Sequence, residues 1–186
     1  MRLQDFLGRC SCSIYRSKQL YGGLKTSTTF WESLREGLKS TLYISNLMVI
    51  ITKSFKIKTR GNTDILDITS EVQKIIKNSN LKKGQATVHI PGSTAGVTTI
   101  EYEPGFLKDL PRAFERIAPE NMEYAHHLTW GDHNGHAHIR AALLGASKTF
   151  PFSEGNLILG TWQQIILVDF DERPRSREVV VQIIGA

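Results

Sequence analysis

Cysteine is scarce in this chain: of 186 residues only Cys10 and Cys12 carry a thiol, and both lie near the amino terminus. A disulfide framework is therefore excluded for the rest, and a lone C-x-C lacks the second ligand pair that makes a zinc motif specific. Long apolar runs are missing too. The longest, Leu47 to Ile51, falls far short of the roughly 20 residues a membrane span needs. The sequence thus predicts a soluble, cytoplasmic protein with no membrane partner. It contains no repeat, no low-complexity tract, no H-E-x-x-H and no paired C-x-x-C.

The formal net charge of +5 hints at nucleic acid, but its distribution argues otherwise. Residues 1–47 carry seven Lys/Arg against three acids, leaving sixteen against fifteen for residues 48–186. The main domain is nearly neutral, and no nucleic-acid partner is expected. Residues 1–47 are Ser/Thr/Arg-bearing and lack the apolar core of a secretory signal. They read either as a transit-like segment or as an extension, disordered or upstream of a true start at Met48. The expected organisation is an extension over 1–47 and one domain over 48–186.

From Val49 to Lys58 the chain alternates, with Phe55 and Ile57 opposite Ser54, Lys56 and Lys58, which predicts a half-exposed strand. Thr69 to Ser79 predicts a helix with Thr69 as its N-cap and Val72, Ile75 and Ile76 as its core face. Two β-rich runs, Gln85 to Ile90 and Thr98 to Glu103, flank the break Pro91-Gly92-Ser93-Thr94, where hydroxyls and backbone N–H groups suit an anion. Glu101 sits on the second run, able to orient a histidine or act as a base. An amphipathic helix is expected over Gly105 to Ala118, with Phe106, Leu110, Phe114 and Ile117 on one face and Pro111 as a kink or a new start. Pro119 to His133 reads as irregular, and His136 to Leu144 as a helix ended by Gly145. The last third is β-rich: Lys148 to Phe152, Leu157 to Leu159, Gln164 to Phe170 and Glu178 to Ile184.

Five of the six histidines fall between His126 and Gly145, among Asp132 and Asn134. Histidine titrates near neutrality and serves as acid, base or metal ligand. His126, His136, His138 and Asp132 offer enough donors for a divalent cation such as zinc or magnesium, though their spacing matches no specific zinc motif. Three readings stay open here: a metal site, a phosphate-binding acid/base site, or a structural role. His89, His127 and His133 read as bystanders.

The run GDHNGHAHIRAALLGAS, the upstream PGSTAGVTTIEYEPG, and the downstream GNLILGTWQQIILVDFDERPRSREVVVQIIG, with its G-x-x-x-x-G-T-W-Q signature at Gly155 to Gln163, resemble the YjbQ family, also called UPF0047 or the secondary thiamine-phosphate synthase family. The resemblance covers residues 48–186. It implies an α+β fold, a two-sheet β-sandwich with a few flanking helices, assembled as a homotrimer. It also implies a weak thiamine phosphate synthase activity on phosphorylated small molecules. By position, His126 and His138 match family histidines, Ser93, Thr94 and Glu101 the hydroxyl turn and its carboxylate, and Trp162 and Gln163 the signature. Gly92 stands where many members have histidine, and His136 is expected to replace that missing group.

The resulting expectation makes His126, His138 and Glu101 catalytic. Ser93, Thr94, Asp132, Asn134, Arg140, Trp162 and Gln163 are substrate-binding, with Trp162 stacking on a planar ring. The alternatives are a metal-dependent hydrolase with the ion on His126, His136 and His138, and a non-catalytic trimeric metabolite binder. The last is motivated by strands Ile165 to Phe170 and Val179 to Ile184, apolar on both faces.

Overall fold

The computed structural model describes residues 48–186; the readings placed on residues 1–47, including Cys10 and Cys12, lie outside the described residues. The elements run β1 (Val49–Thr59), β2 (Asp64–Asp67), α1 (Thr69–Asn78), β3 (Lys83–His89), β4 (Ala95–Ile100), α2 (Phe106–Ile117), α3 (Ala125–Trp130), α4 (Gly135–Leu144), β5 (Ser147–Ser153), β6 (Asn156–Leu157), β7 (Gln164–Asp169) and β8 (Arg175–Gly185). Two antiparallel sheets result, one of five strands ordered β1, β8, β3, β5, β6 and one of three ordered β2, β7, β4.

The expected α+β sandwich is what forms. Between the sheets lies one core, made by Val72 and Ile76 of α1, Val88 of β3, Val97 of β4, Ile165 and Leu167 of β7, and Val179, Val181 and Ile183 of β8. On the other face of the small sheet, Ile166 and Val168 pack with Phe114 of α2 and with Ala137 and Ala141 of α4. Because successive strand residues point to opposite faces, β7 is buried on both sides within a single chain. Its apolar run therefore needs no second copy to explain it. In β8 the outward set is different, with Ile184 left 38% exposed.

Several local expectations are corrected. Thr69 is not the cap of α1: the Asp67 carboxylate accepts from its N–H at 2.8 Å and from its hydroxyl at 2.6 Å, while the Ile165 N–H donates to Thr69 Oγ1. Pro111 lies inside α2 without dividing it. That helix buries Phe114 and packs Leu107 and Leu110 rather than presenting Phe106 and Ile117, which are exposed. Glu103 leaves the strand, and its carboxylate accepts the N–H groups of Gly105 and Phe106 at the start of α2. The stretch expected to be irregular contains α3, whose apolar Leu128 and Trp130 face outward and so carry no burial signal. No helix among the described residues is long and apolar enough to cross a membrane.

Candidate functional site

The carboxyl end of β7 and the amino end of β4 lie side by side, since Asp169 pairs with Ala95. Here the charged groups of β8 turn inward. Arg177 donates to Asp169 Oδ2 at 2.7 Å and Oδ1 at 2.6 Å, and to Thr94 Oγ1 at 2.8 Å. Thr59 donates to Asp169 at 2.6 Å, Thr94 to Asp171 at 3.1 Å, and Arg175 to Asp171 at 2.9 Å. Asp169 is fully buried and Asp171 nearly so. Burial pushes the Asp171 carboxyl up, but Arg175, Thr94 and Arg177 outweigh that and hold it below its ordinary value. Two aspartates thus neutralise two arginines. Sequence reasoning missed this network; the available signal is the period-two spacing of Arg175 with Arg177, which places both on one face of β8.

Over this network come α3 and α4. The left-handed residue after α3 is Gly131, at φ 68°, a conformation that glycine adopts without steric cost. The reversal brings the Asp132 carboxylate 3.5 Å from His126 Nε2. Gly135 then allows α4 to approach closely, because a Cβ there would lie 2.6 Å from Cβ of Tyr124. With the helices so placed, the rings of His126 and His138 meet at 4.3 Å between centroids, tilted by 48°. Burial and then the neighbouring His126 hold the His138 imidazole below its ordinary pKa, with Asp132 and Asp171 opposing. Its neutral form is thereby favoured.

The other expected site residues are distributed differently. His136 points away from this pair: it is 1% exposed, faces Tyr124, and its Nδ1 has no partner. Burial and then Arg140 lower its pKa. It therefore does not stand in for the group missing at Gly92, where an added Cβ would meet only Arg177 Nη1, at 3.4 Å. Arg140 is 4% exposed, and its guanidinium is spent on Ala118 O, Thr63 Oγ1 and Glu115, which leaves no donor fork for a phosphate. Thr94 is buried with its hydroxyl engaged, whereas Ser93 is exposed. Asp132 and Asn134 each present a buried oxygen without a partner.

Glu101, Trp162 and Gln163 lie at the opposite end of the small sheet, because Ile100 pairs with Gln164. Seven residues separate Thr94 from Glu101, about 23 Å of extended chain. Gln163 is tied to Thr99 Oγ1 at 2.9 Å and to the Gly160 N–H at 3.0 Å, and Trp162 is 70% exposed. Within one chain these three do not join the histidine pair. Among the described residues no three His, Cys, Asp or Glu side chains converge as a cation-binding group, so the His126, His136 and His138 set does not fit a zinc or magnesium ion.

A family model described as UPF0047 protein YjbQ-like matches residues 53–186. The chain belongs to that family. A UPF0047 protein of Methanocaldococcus jannaschii is 36% identical over 141 residues, covering 74% of this chain and 99% of the relative. The UPF0047 protein YugU of Bacillus subtilis is 34% identical over 134 residues, covering 72% and 98%. Among crystal structures, a YbjQ-like protein of unknown function from Sulfolobus solfataricus is 32% identical with a TM-score of 0.71, covering 75% of this chain and 99% of that one. A YjbQ/UPF0047 protein of Clostridium acetobutylicum is 35% identical with a TM-score of 0.65, covering 70% and 98%. The UPF0047 stretch thus coincides with the sandwich and its helices.

Proposed function

We propose that this UPF0047 protein is an acid–base enzyme acting on a phosphorylated small molecule, with thiamine phosphate formation as the reaction to test. The observation that carries this reading is the contact of His126 with His138 beside Asp132. Two imidazoles in contact do not both charge easily, and a carboxylate at one of them supplies the counter-charge for a single proton. In the proposed reaction the thiazole nitrogen attacks the methylene carbon of the pyrimidine pyrophosphate. The new C–N bond forms as the C–O bond breaks, and pyrophosphate leaves with the bonding electrons. His126 gives the departing oxygen a proton, and neutral His138 relays a replacement from solvent, accepting a proton at one ring nitrogen as the other gives its own to His126. With Asp132 Oδ1 facing His126, Ser93 and the unpartnered Asn134 Oδ1 are the expected polar groups left to hold substrate.

Glu101, Trp162 and Gln163 enter this site only from a neighbouring copy, since their own chain holds them at the far end of β4 and β7. The proposed working unit is accordingly the homotrimer. The test is an assay of purified protein with pyrimidine pyrophosphate and thiazole phosphate. Turnover that depends on both histidines supports the reading, and turnover indifferent to His126→Ala and His138→Ala removes it.

A further inference from the structure

The guanidinium of Arg177 is only partly used by the network that holds it. Its Nε and Nη2 donate to Asp169, Thr94 and Asp171, while Nη1 has no acceptor among the described residues. The side chain is 11% exposed. Buried side-chain polar atoms without a partner, among the described residues, belong to Asp132, Asn134 and His136, so the opening of this largely buried guanidinium to solvent lies at Nη1. Gly92 keeps it open. A Cβ there would meet Nη1 at 3.4 Å and, chain neighbours aside, nothing else within 4 Å.

The turn beside Nη1 supplies further donors. The N–H groups of Gly92, Ser93 and Thr94 have no acceptor among the described residues, and the Thr94 backbone is paired only through its carbonyl, which accepts the Phe170 N–H at 2.9 Å. Exposed Ser93 adds a hydroxyl. Two aspartates cancel the charge of two arginines here, yet they leave this set of donors without a matching acceptor. A phosphoryl group is the acceptor that suits it, because its several oxygens can take charge-assisted bonds from a guanidinium and bonds from successive backbone N–H groups at once. Asp171, which accepts from Thr94 and Arg177, is also close enough to His138 to act on its proton affinity. The donors therefore stand beside the histidine pair.

We propose that Arg177 Nη1, with the N–H groups of Gly92, Ser93 and Thr94 and the Ser93 hydroxyl, binds the pyrophosphate group of the substrate. The assignment rests on the reading of the histidine site as one for a phosphorylated molecule, and it names the groups that take up the charge developing on the departing oxygens as the C–O bond breaks. The test is isothermal titration calorimetry of the full chain with inorganic pyrophosphate, with malonate as a carboxylate control. We expect one pyrophosphate per chain, and in the nitrogen–proton NMR spectrum of the wild type the amide signals of Gly92, Ser93 and Thr94 should move in step with saturation. Arg177→Lys, which keeps the charge and loses Nη1, should bind roughly tenfold more weakly. Ser93→Ala should also bind more weakly, at an unchanged melting temperature. His138→Ala removes the proton relay and no donor of this set, so it should still bind pyrophosphate. If the acid–base reading fails, turnover is absent while binding still depends on Arg177 and Ser93; if this assignment alone fails, turnover persists and that dependence is missing. The proposal is overturned by no saturable binding of pyrophosphate, by turn amide signals that stay in place at saturation, by malonate binding as tightly, or by wild-type affinity in both Arg177→Lys and Ser93→Ala.

Discussion

The rings of His126 and His138 lie 4.3 Å apart, and the Asp132 carboxylate, which acts on both, comes within 3.5 Å of His126 Nε2. That close approach to His126 divides the roles. It predicts a rate that rises with pH through an apparent pKa below the ordinary histidine value, as His138 becomes neutral. His138→Gln should lower turnover by about 10²–10⁴-fold and abolish that limb of the profile. Steady-state rates measured across pH for both proteins check this.

Stability should depend on pH through His136. Its folded pKa lies below the unfolded value of 6.5, so the unfolded chain binds more protons between the two values. Stability is then highest above the unfolded pKa and falls as pH drops through that window. His138 contributes with the same sign. For Asp171 the folded pKa lies below 3.8, and its contribution is lost only at more acid pH. Thermal melts of wild type and His136→Gln from about pH 8 to pH 5 should show a shallower decline in the variant.

Arg140 separates a structural role from a binding one. Its donors go to the end of α2, to Thr63 and to Glu115, and Glu115 is itself about half exposed. Arg140→Met should destabilise the fold by about 2–4 kcal/mol in urea unfolding. The folded variant should keep its affinity for a phosphorylated ligand.

How much of this was legible in the sequence differs from residue to residue. The strand β1 follows from alternation and the helix from His136 to Leu144 from its composition and the closing Gly145, and the observed elements agree within one or two residues. Pairing of His126 with His138 was reachable only through the family resemblance, because twelve residues and a glycine reversal separate them. The committed state of Arg140 was not legible, since nothing local marks Ala118 and Thr63 as its acceptors. Nor was the separation of Glu101 and Trp162 from the histidines, which depends on the register of β4 with β7.

The two-sided burial of β7 has a direct consequence. Ile166 and Leu167 are consecutive, both fully buried, and belong to different cores. Ile166→Ala and Leu167→Ala should each cost about 2–5 kcal/mol, whereas a half-exposed strand would show one costly position and one tolerant neighbour. Denaturant midpoints of the two variants decide it.

The proposed shared site predicts complementation. Glu101→Ala and His138→Ala proteins should each be nearly inactive, while oligomers reassembled from a mixture of the two should regain part of the activity. Light scattering reads the oligomer and the assay reads the recovery. A fully active monomer would contradict the shared site.

The most direct test of the histidine-pair account is product formation from pyrimidine pyrophosphate and thiazole phosphate by wild type, His126→Ala and His138→Ala, each first shown to be folded by circular dichroism. The account predicts turnover in the wild type and a loss of about 10²-fold or more in each variant. Equal turnover in all three would contradict it.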